Sequence, residues 1–467
     1  MWNKSAAANA RDDEFKPMIW LGTNEQLYLA RTSRDLKKID QCVVNTTTGE
    51  VKVLVAEAMN TSIEIKKPEL IKNGAELVEW SERDGWAHLY LYDGQGKLKN
   101  QITQGAWHVE EVIGVDEAKR VVYFSANGKE SLTGGGKEDP YYMHLYKINL
   151  DGTGLQLLNA GNFDHSFSMN DNNTYFVNNS SRVNTTPVSS LHSADGKKLM
   201  DLETADLRNL MATGYKFPET FKIKADDGIT DLYGVMYKPY DFDSTKKYPI
   251  IEYVYPGPQT ESVNKSFSKG MDRIDRLAQL GFVVVTIGNR GGHPARSKWY
   301  HNYGYGNLRD YGLADKKAAV EQLADRFTFI DRDKVGIHGH SGGGFMSTAA
   351  MFAYPDIFKV AVSNAGNHDN SVYNRWWSEK HNGVKENISD KGDTTFSYMI
   401  DKNPDIAKNL KGKLLLIHGE IDNNVHPANT IRVVNALIKA NKRFDMLILP
   451  TQRHGFGDMS EYWFWKT

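Results

Sequence analysis

A serine, an aspartate and a histidine stand in an order and in settings that suit acyl transfer. Gly339-His340-Ser341-Gly342-Gly343 matches G-x-S-x-G and lies between the apolar run KVGIHG and the helix-forming run GGFMSTAAMF. A turn that tight needs flanking residues without bulk. It projects the serine at a helix N-terminus, where backbone N–H groups and the helix dipole favour negative charge. A serine hydroxyl is a weak nucleophile at neutral pH and needs a base within hydrogen-bond reach. Asp422 follows the strand-like run KLLLIHG in the loop GEIDNNVHP, and His454 follows FDMLILP in TQRHGFGD. The chain order Ser, acid, His is that of α/β-hydrolases, and both partners fall at strand C-terminal ends, where open α/β sheets meet ligands. His454 would take the Ser341 proton and return it to the leaving amine, while Asp422 holds the imidazole tautomer. Among rivals, His418 precedes the acid, His340 is too constrained beside the nucleophile, His426 sits in the acid loop, and Asp458 follows the histidine. The oxyanion needs two donors. The N–H of Gly342 is one. Tyr255 in YVYPGPQ is a candidate for the other, with a purely structural aromatic the equally open alternative.

Two kinds of chain must carry these groups. Residues from about 18 to 210 alternate in the manner of short strands. The stretch 78–103 reads strand, turn, strand, turn, strand, and 139–158 repeats the theme. His88-Leu89-Tyr90 and His144-Leu145-Tyr146 hold equivalent places, each before a turn, at Asp93-Gly94 and Asp151-Gly152. Stretches 41–55 and 190–202 echo them. Four strands every 40 to 50 residues indicate propeller blades, about four of them over residues 1–212. Residues 213–467 alternate strands with helices, the strands reading as continuous apolar runs. That implies a doubly wound, mostly parallel sheet covered on both faces, the α/β-hydrolase architecture. Helices are expected at 271–282, with Ile274, Leu277 and Leu280 on one face, at 308–326 and at 427–440. A ring of four blades is the low end for closure, and WFWKT reads as the start of a final helix. The chain is therefore expected to be a piece of a longer protein, lacking its last helix.

Composition narrows the functions. The net charge of −1 over 467 residues points to no nucleic-acid or anionic-membrane partner. Cys42, the single cysteine, excludes an intrachain disulfide. No apolar run reaches the roughly 20 residues of a membrane span. The segment MWNKSAAANARDDEFKP shows no signal-peptide core. No H-E-x-x-H or Cys/His cluster suggests a metal, His293, His301 and His381 are scattered, and the chemistry calls for no cofactor.

Taken together, YVYPGPQ, GNRGGHPARSKWYHNYGYGNLRDYGLAD, GHSGGGF, HGEIDNNVHP and RHGFGD resemble the prolyl oligopeptidase family in its dipeptidyl peptidase IV branch. WSERDGWAHLYLYD resembles that branch's propeller. The resemblance implies a serine peptidase acting on short peptides, with the propeller over the hydrolase domain. It makes Tyr255 the second oxyanion donor, Asn424 a ligand of a substrate carbonyl, and Tyr373 a wall of the S1 pocket. It implies a homodimer and, for bacterial members, a periplasmic or secreted location. Two departures stand out. The branch's paired-glutamate helix, which holds the substrate amino terminus, has no counterpart here. Glu110-Glu111 falls in the strand context WHVEEVIGV and is read as coincidence. The S1 aromatics before Ser371-Val372-Tyr373 are replaced by Gly366, His368 and Asp369. Asp369 is expected to pair with Arg375 rather than with a basic substrate group. An esterase on the same fold and a non-enzymatic hydrolase-fold binding protein are the rival readings.

Overall fold

The structure is a computed structural model and describes residues 18–21, 25–133, 136, 138–268 and 273–467. The segment read above for a signal peptide and the first residues of the helix expected at 271–282 lie outside those residues.

Among the described residues, the first part of the chain forms four antiparallel sheets of four strands, each in up-and-down order. The first runs Met18–Trp20, Gln26–Thr32, Lys38–Asn45 and Val51–Ala58, and the second Glu69–Ile71, Glu76–Ser81, His88–Asp93 and Leu98–Gln101. The third runs His108–Asp116, Val121–Asn127, Met143–Asn149 and Gln156–Leu157, and the fourth Asp164–Met169, Tyr175–Ser181, Val188–Ser193 and Lys198–Thr204. The stretches paired by the repeat cover the third and fourth strands of these sheets, and 78–103 also takes in most of a second strand. The repeated histidines are satisfied core residues. His88 bonds Thr103 Oγ1 at 3.0 Å and the Gly105 carbonyl at 2.8 Å, and His144 bonds Glu138 at 2.9 Å. In the second hairpin the left-handed residue is Gly96 (φ 87°), with Asp93 accepting from Gln95 and Lys97 N–H. Gly94 is needed for another reason, because a Cβ there would lie 2.6 Å from the Gly74 carbonyl.

The second part is one eight-stranded sheet. Its strands are β1 (Glu219–Lys224), β2 (Asp231–Tyr237), β3 (Tyr248–Tyr253), β4 (Val283–Ile287), β5 (Ile330–His340), β6 (Val360–Asn364), β7 (Lys413–Gly419) and β8 (Asp445–Leu449). The spatial order is β1-β2-β4-β3-β5-β6-β7-β8, antiparallel at β1, β2 and β4 and parallel from β4 onward. The helices used below are α1 (Arg273–Gln279), α2 (Lys298–His301), α3 (Leu313–Arg326), α4 (Gly342–Ala353), α5 (Arg375–Asn382), α6 (Ala428–Lys439) and α7 (Asp458–Lys466). Strand alternation feeds two apolar layers. Ile250, Leu414 and Leu416 pack with Val320 and Leu323 of α3, Ala349 and Phe352 of α4, and Val433 and Leu437 of α6. Ile251 and Tyr253 face Ala278 of α1, and Ile417 and Leu449 face Phe464 of α7.

Two helix expectations need correction. Leu280 is 69% exposed, because α1 ends at Gln279 and the chain turns through Gly281 at φ 95°. Residues 308–312 form a turn rather than helix, and α3 begins only at Leu313. That turn delivers Tyr311, whose O–H donates to the Pro256 carbonyl at 2.9 Å.

Candidate active site

Ser341 sits between the end of β5 and the first residue of α4, with φ 58° and ψ −120°. Such a backbone is costly for a residue with a Cβ and persists only where its surroundings over-determine it. Here they do. A Cβ on Gly339 or Gly343 would lie 2.4 or 2.0 Å from the Val254 carbonyl, and one on Gly344 would lie 2.4 Å from the Asn364 carbonyl. The Ser341 N–H donates to that same Asn364 carbonyl at 2.8 Å. Glycines thus let β3, β6 and α4 crowd onto the turn and hold the serine at the rim.

Asp422 follows β7 and His454 follows β8, neighbouring parallel strands, and their side chains meet. His454 Nδ1 lies 2.7 Å from Asp422 Oδ2. The His340 ring, next to Ser341, stacks obliquely on His454 at 4.6 Å between centroids, so the imidazole stands beside the serine turn. The Asp422 side chain is fully buried. Its Oδ1 accepts the N–H groups of Asn424 and Val425, each at 2.9 Å. Burial alone would raise its pKa, but hydrogen bonds from His418 and His454, the nearby His454 charge and the Val425 N–H together hold it far below the usual carboxylate range. His418 is a residue that chain order alone sets aside. It is fully buried behind the acid, 3.4 Å from Oδ2.

Gly342 is the first residue of α4, so its N–H has no intrahelical partner. The Tyr255 ring lies against it, with Cζ 3.7 Å from where a Gly342 Cβ would be. Gln259 Nε2 donates to the Tyr255 oxygen at 3.1 Å, which leaves the phenolic O–H for another acceptor. Burial raises the Tyr255 pKa, so that proton is retained at neutral pH.

The remaining expected residues are distributed around this rim. Asn424 is exposed, two residues beyond Asp422. Tyr373 caps the short 3₁₀ turn Asn370–Val372 and packs edge-on against Trp377, 5.4 Å between centroids. Asp369 does not pair with Arg375. Its carboxylate is bound by Arg432 of α6, with Lys402 Nζ at 3.7 Å, and it caps the Ser371 N–H at 3.0 Å. Arg375 instead lies 4.0 Å from Glu379, one turn along its own helix. Arg432 is far away in sequence, and only the packing of α6 beside β7 brings it to Asp369. Glu110 lies in the strand His108–Asp116, where it binds Lys66 at 2.7 Å and His108 at 3.2 Å.

With this geometry in place, comparison with known proteins is informative. Residues 268–464 match the sequence profile of the prolyl oligopeptidase family, and residues 2–187 that of the dipeptidyl peptidase IV N-terminal region. Human dipeptidyl peptidase 8 is 32% identical over 370 residues, covering 76% of this chain and 39% of that protein. Dipeptidyl peptidase 4 of Trichophyton equinum is 29% identical over 390 residues, covering 80% and 47%. The crystal structure of Porphyromonas gingivalis dipeptidyl peptidase 4 superposes with a TM-score of 0.83 at 26% identity, covering 96% of this chain and 62% of that one. A putative dipeptidyl aminopeptidase IV from Bacteroides ovatus gives 0.82 at 27%, covering 96% and 65%. The chain spans less than half the length of these curated relatives.

Proposed function

This chain belongs to the prolyl oligopeptidase family, an α/β-hydrolase domain preceded by part of a β-propeller, and on that premise we propose that it is a serine dipeptidyl aminopeptidase hydrolysing short peptides. The observation that carries the proposal is the 2.7 Å contact between Asp422 and His454 beside a strained serine turn.

Ser341 Oγ attacks the scissile carbonyl carbon as His454 Nε2 takes its proton. The new oxyanion is held by the Gly342 N–H and the Tyr255 O–H. The C–N bond then breaks, His454 protonates the departing amine, and an ester to Ser341 remains. Water, deprotonated by His454, attacks that ester, and the returned proton frees Ser341. Asp422 keeps Nδ1–H of His454 oriented throughout. Asn424 serves the substrate carbonyl and Tyr373 the P1 side chain. In this reading the propeller part is residues 1–212 and the peptidase domain residues 213–467. A homodimer and a periplasmic or secreted location complete the proposal. Among the described residues no helix is long and apolar enough to cross a membrane.

The test is turnover of aminoacyl-proline anilides beside short p-nitrophenyl esters, with fluorophosphonate labelling before and after Ser341→Ala. Anilide cleavage and labelling that depend on Ser341 support the reading. Turnover of esters alone sinks the peptidase, and a folded chain that refuses the probe sinks the hydrolase.

A further inference from the structure

The loop that carries Tyr255 has little means of holding itself. Pro256 and Pro258 have no N–H, so the loop offers mainly carbonyls to its surroundings. The two proline carbonyls are met by side-chain donors. The Pro256 carbonyl accepts from Tyr311 Oη at 2.9 Å and Asn289 Nδ2 at 3.3 Å, and the Pro258 carbonyl accepts from His301 Nε2 at 2.8 Å. Between them a Cβ on Gly257 would lie 2.2 Å from the Gly292 carbonyl. One residue beyond Pro258, Gln259 holds the Tyr255 oxygen. A shift of the Pro258 carbonyl therefore moves the phenol.

His301 differs from the other two donors in what stands behind it. A carbonyl can only accept, so the proton sits on Nε2, and Nδ1 is buried without a hydrogen-bond partner. The ring belongs to α2, a single turn that is pinned at both ends to the N-terminal sheets. Lys298 at its start binds Glu82 at 2.6 Å, both side chains more than nine-tenths buried, and the Lys298 N–H donates to the Gly85 carbonyl at 2.8 Å. Asn302, just past its end, donates to Thr61 Oγ1 at 2.7 Å. Glu82 and Gly85 lie in the turn of WSERDGWAHLYLYD, a stretch the chemistry of the triad leaves unused.

We propose that His301 is a positioning residue for the oxyanion phenol: through the Pro258 carbonyl it sets Tyr255 from α2, and the Glu82–Lys298 and Gly85 contacts make the N-terminal sheets part of that setting. The proposal rests on the peptidase reading for its kinetic consequence, and on the loop alone for its structural one.

The experiment uses the 467-residue chain with His301→Leu, His301→Gln, Glu82→Gln and Tyr255→Phe. An oxyanion contact acts in the transition state, so His301→Leu is expected to lower kcat on a dipeptide anilide about 10- to 50-fold with KM changed less than about two-fold. His301→Gln keeps a donor and recovers most of the loss. The double variant His301→Leu/Tyr255→Phe is no slower than Tyr255→Phe alone, since both changes act through one phenol. Amide hydrogen exchange of residues 254–260 rises in His301→Leu and, less, in Glu82→Gln. That readout needs no turnover, so an inactive parent chain speaks against the peptidase reading while the exchange still decides this one. Losses that multiply in the double variant, a loss confined to KM, or unchanged exchange in both variants overturns the proposal. If His301→Leu does not fold, Glu82→Gln alone carries the exchange test: faster exchange at residues 254–260 supports the proposal, and unchanged exchange overturns it.

Discussion

Nε2 of His418 lies 3.4 Å from Oδ2 of Asp422, the same oxygen that meets His454. That nitrogen also faces the Val425 carbonyl at 2.7 Å, so it carries the proton, while Nδ1 lies 2.7 Å from the Thr430 hydroxyl. His418 thereby presents an Nε2–H beside the acid while bonding the Val425 carbonyl. Asp422 is surrounded by donors on both oxygens, which explains how a buried carboxylate stays ionised.

Replacing Asp422 by Asn removes the acceptor that selects the Nδ1–H tautomer of His454. The kcat of Asp422→Asn is expected to fall about 10⁴-fold with KM little changed, as a tautomer defect does in triads of this kind. The depressed pKa adds a stability signature. A carboxylate held below its unfolded value stabilises the fold above that value, 3.8, and the contribution is lost as pH falls below it. Thermal melts between about pH 2.5 and 6 should show the parent losing more stability on acidification than Asp422→Asn. Parallel melting curves for the two would contradict this account of the acid.

Adjacent glycines in the serine turn should behave differently. Gly343→Ala drives a methyl to within 2.0 Å of the Val254 carbonyl, a clash with backbone immediately after the central strand β3. A loss of several kcal/mol is expected, enough to remove most soluble protein. A methyl at Gly342→Ala comes no closer than 3.7 Å to Tyr255 Cζ, an ordinary contact, and the variant should fold with a Tm within a few degrees of the parent. Expression yield and differential scanning fluorimetry separate the two.

What can be read from the residues alone follows the range of the interactions. The serine turn is legible because its requirements are local: small flanking residues, a strand before and a helix after. Asp422 and His454 are legible because β7 and β8 are apolar runs that each end in a short polar loop. Chain order speaks only to the base, so it gives His418 no part. The role of that residue behind the acid depends on Thr430 and Val425 folding back over it. Arg432 cannot be matched to Asp369 by eye, since a contact across 63 residues is set by how α6 packs. Arg375 is the nearer cation in sequence but is turned toward Glu379. Leu280 continues the apolar period of α1 past the point where the helix ends. His301 looks scattered because both the carbonyl it binds and the sheets behind it are distant in sequence.

The Asp369–Arg432 pair also makes a prediction about the substrate pocket. Asp369 caps the turn that presents Tyr373, and the Asp369 N–H donates to Asn429 of α6 at 2.9 Å. Asp369→Ala removes the cap and the Arg432 tie together. Loss of such a cap costs about 1 kcal/mol, and a loosened Tyr373 should raise KM several-fold with kcat nearly unchanged. A variant with parental KM would show that this turn is set by other contacts.

Far from the site, Glu79 offers a test of the N-terminal sheets themselves. Its carboxyl is 2% exposed, bonded to Tyr28 at 3.0 Å and Gln41 at 3.2 Å, while the Tyr28 hydroxyl also donates to Gln41 Oε1. The Tyr28 hydroxyl thus lies within donating distance of both Gln41 Oε1 and Glu79 Oε1, and the Gln41 amide donates to Glu79 Oε2. Burial, with Glu57 adding to it, lifts the Glu79 pKa to about 8 against the opposing bond from Tyr28. The folded state then holds a proton that the unfolded state releases near 4.5, so stability falls as pH rises from about 4.5 to 8 and levels off above. Glu79→Gln keeps a donor and an acceptor in the same places without the titration. Its Tm should match the parent at about pH 5 and exceed it by several degrees at about pH 8.5. A parent whose Tm does not decline across that range more than the variant's would show that Glu79 is ionised in the folded protein.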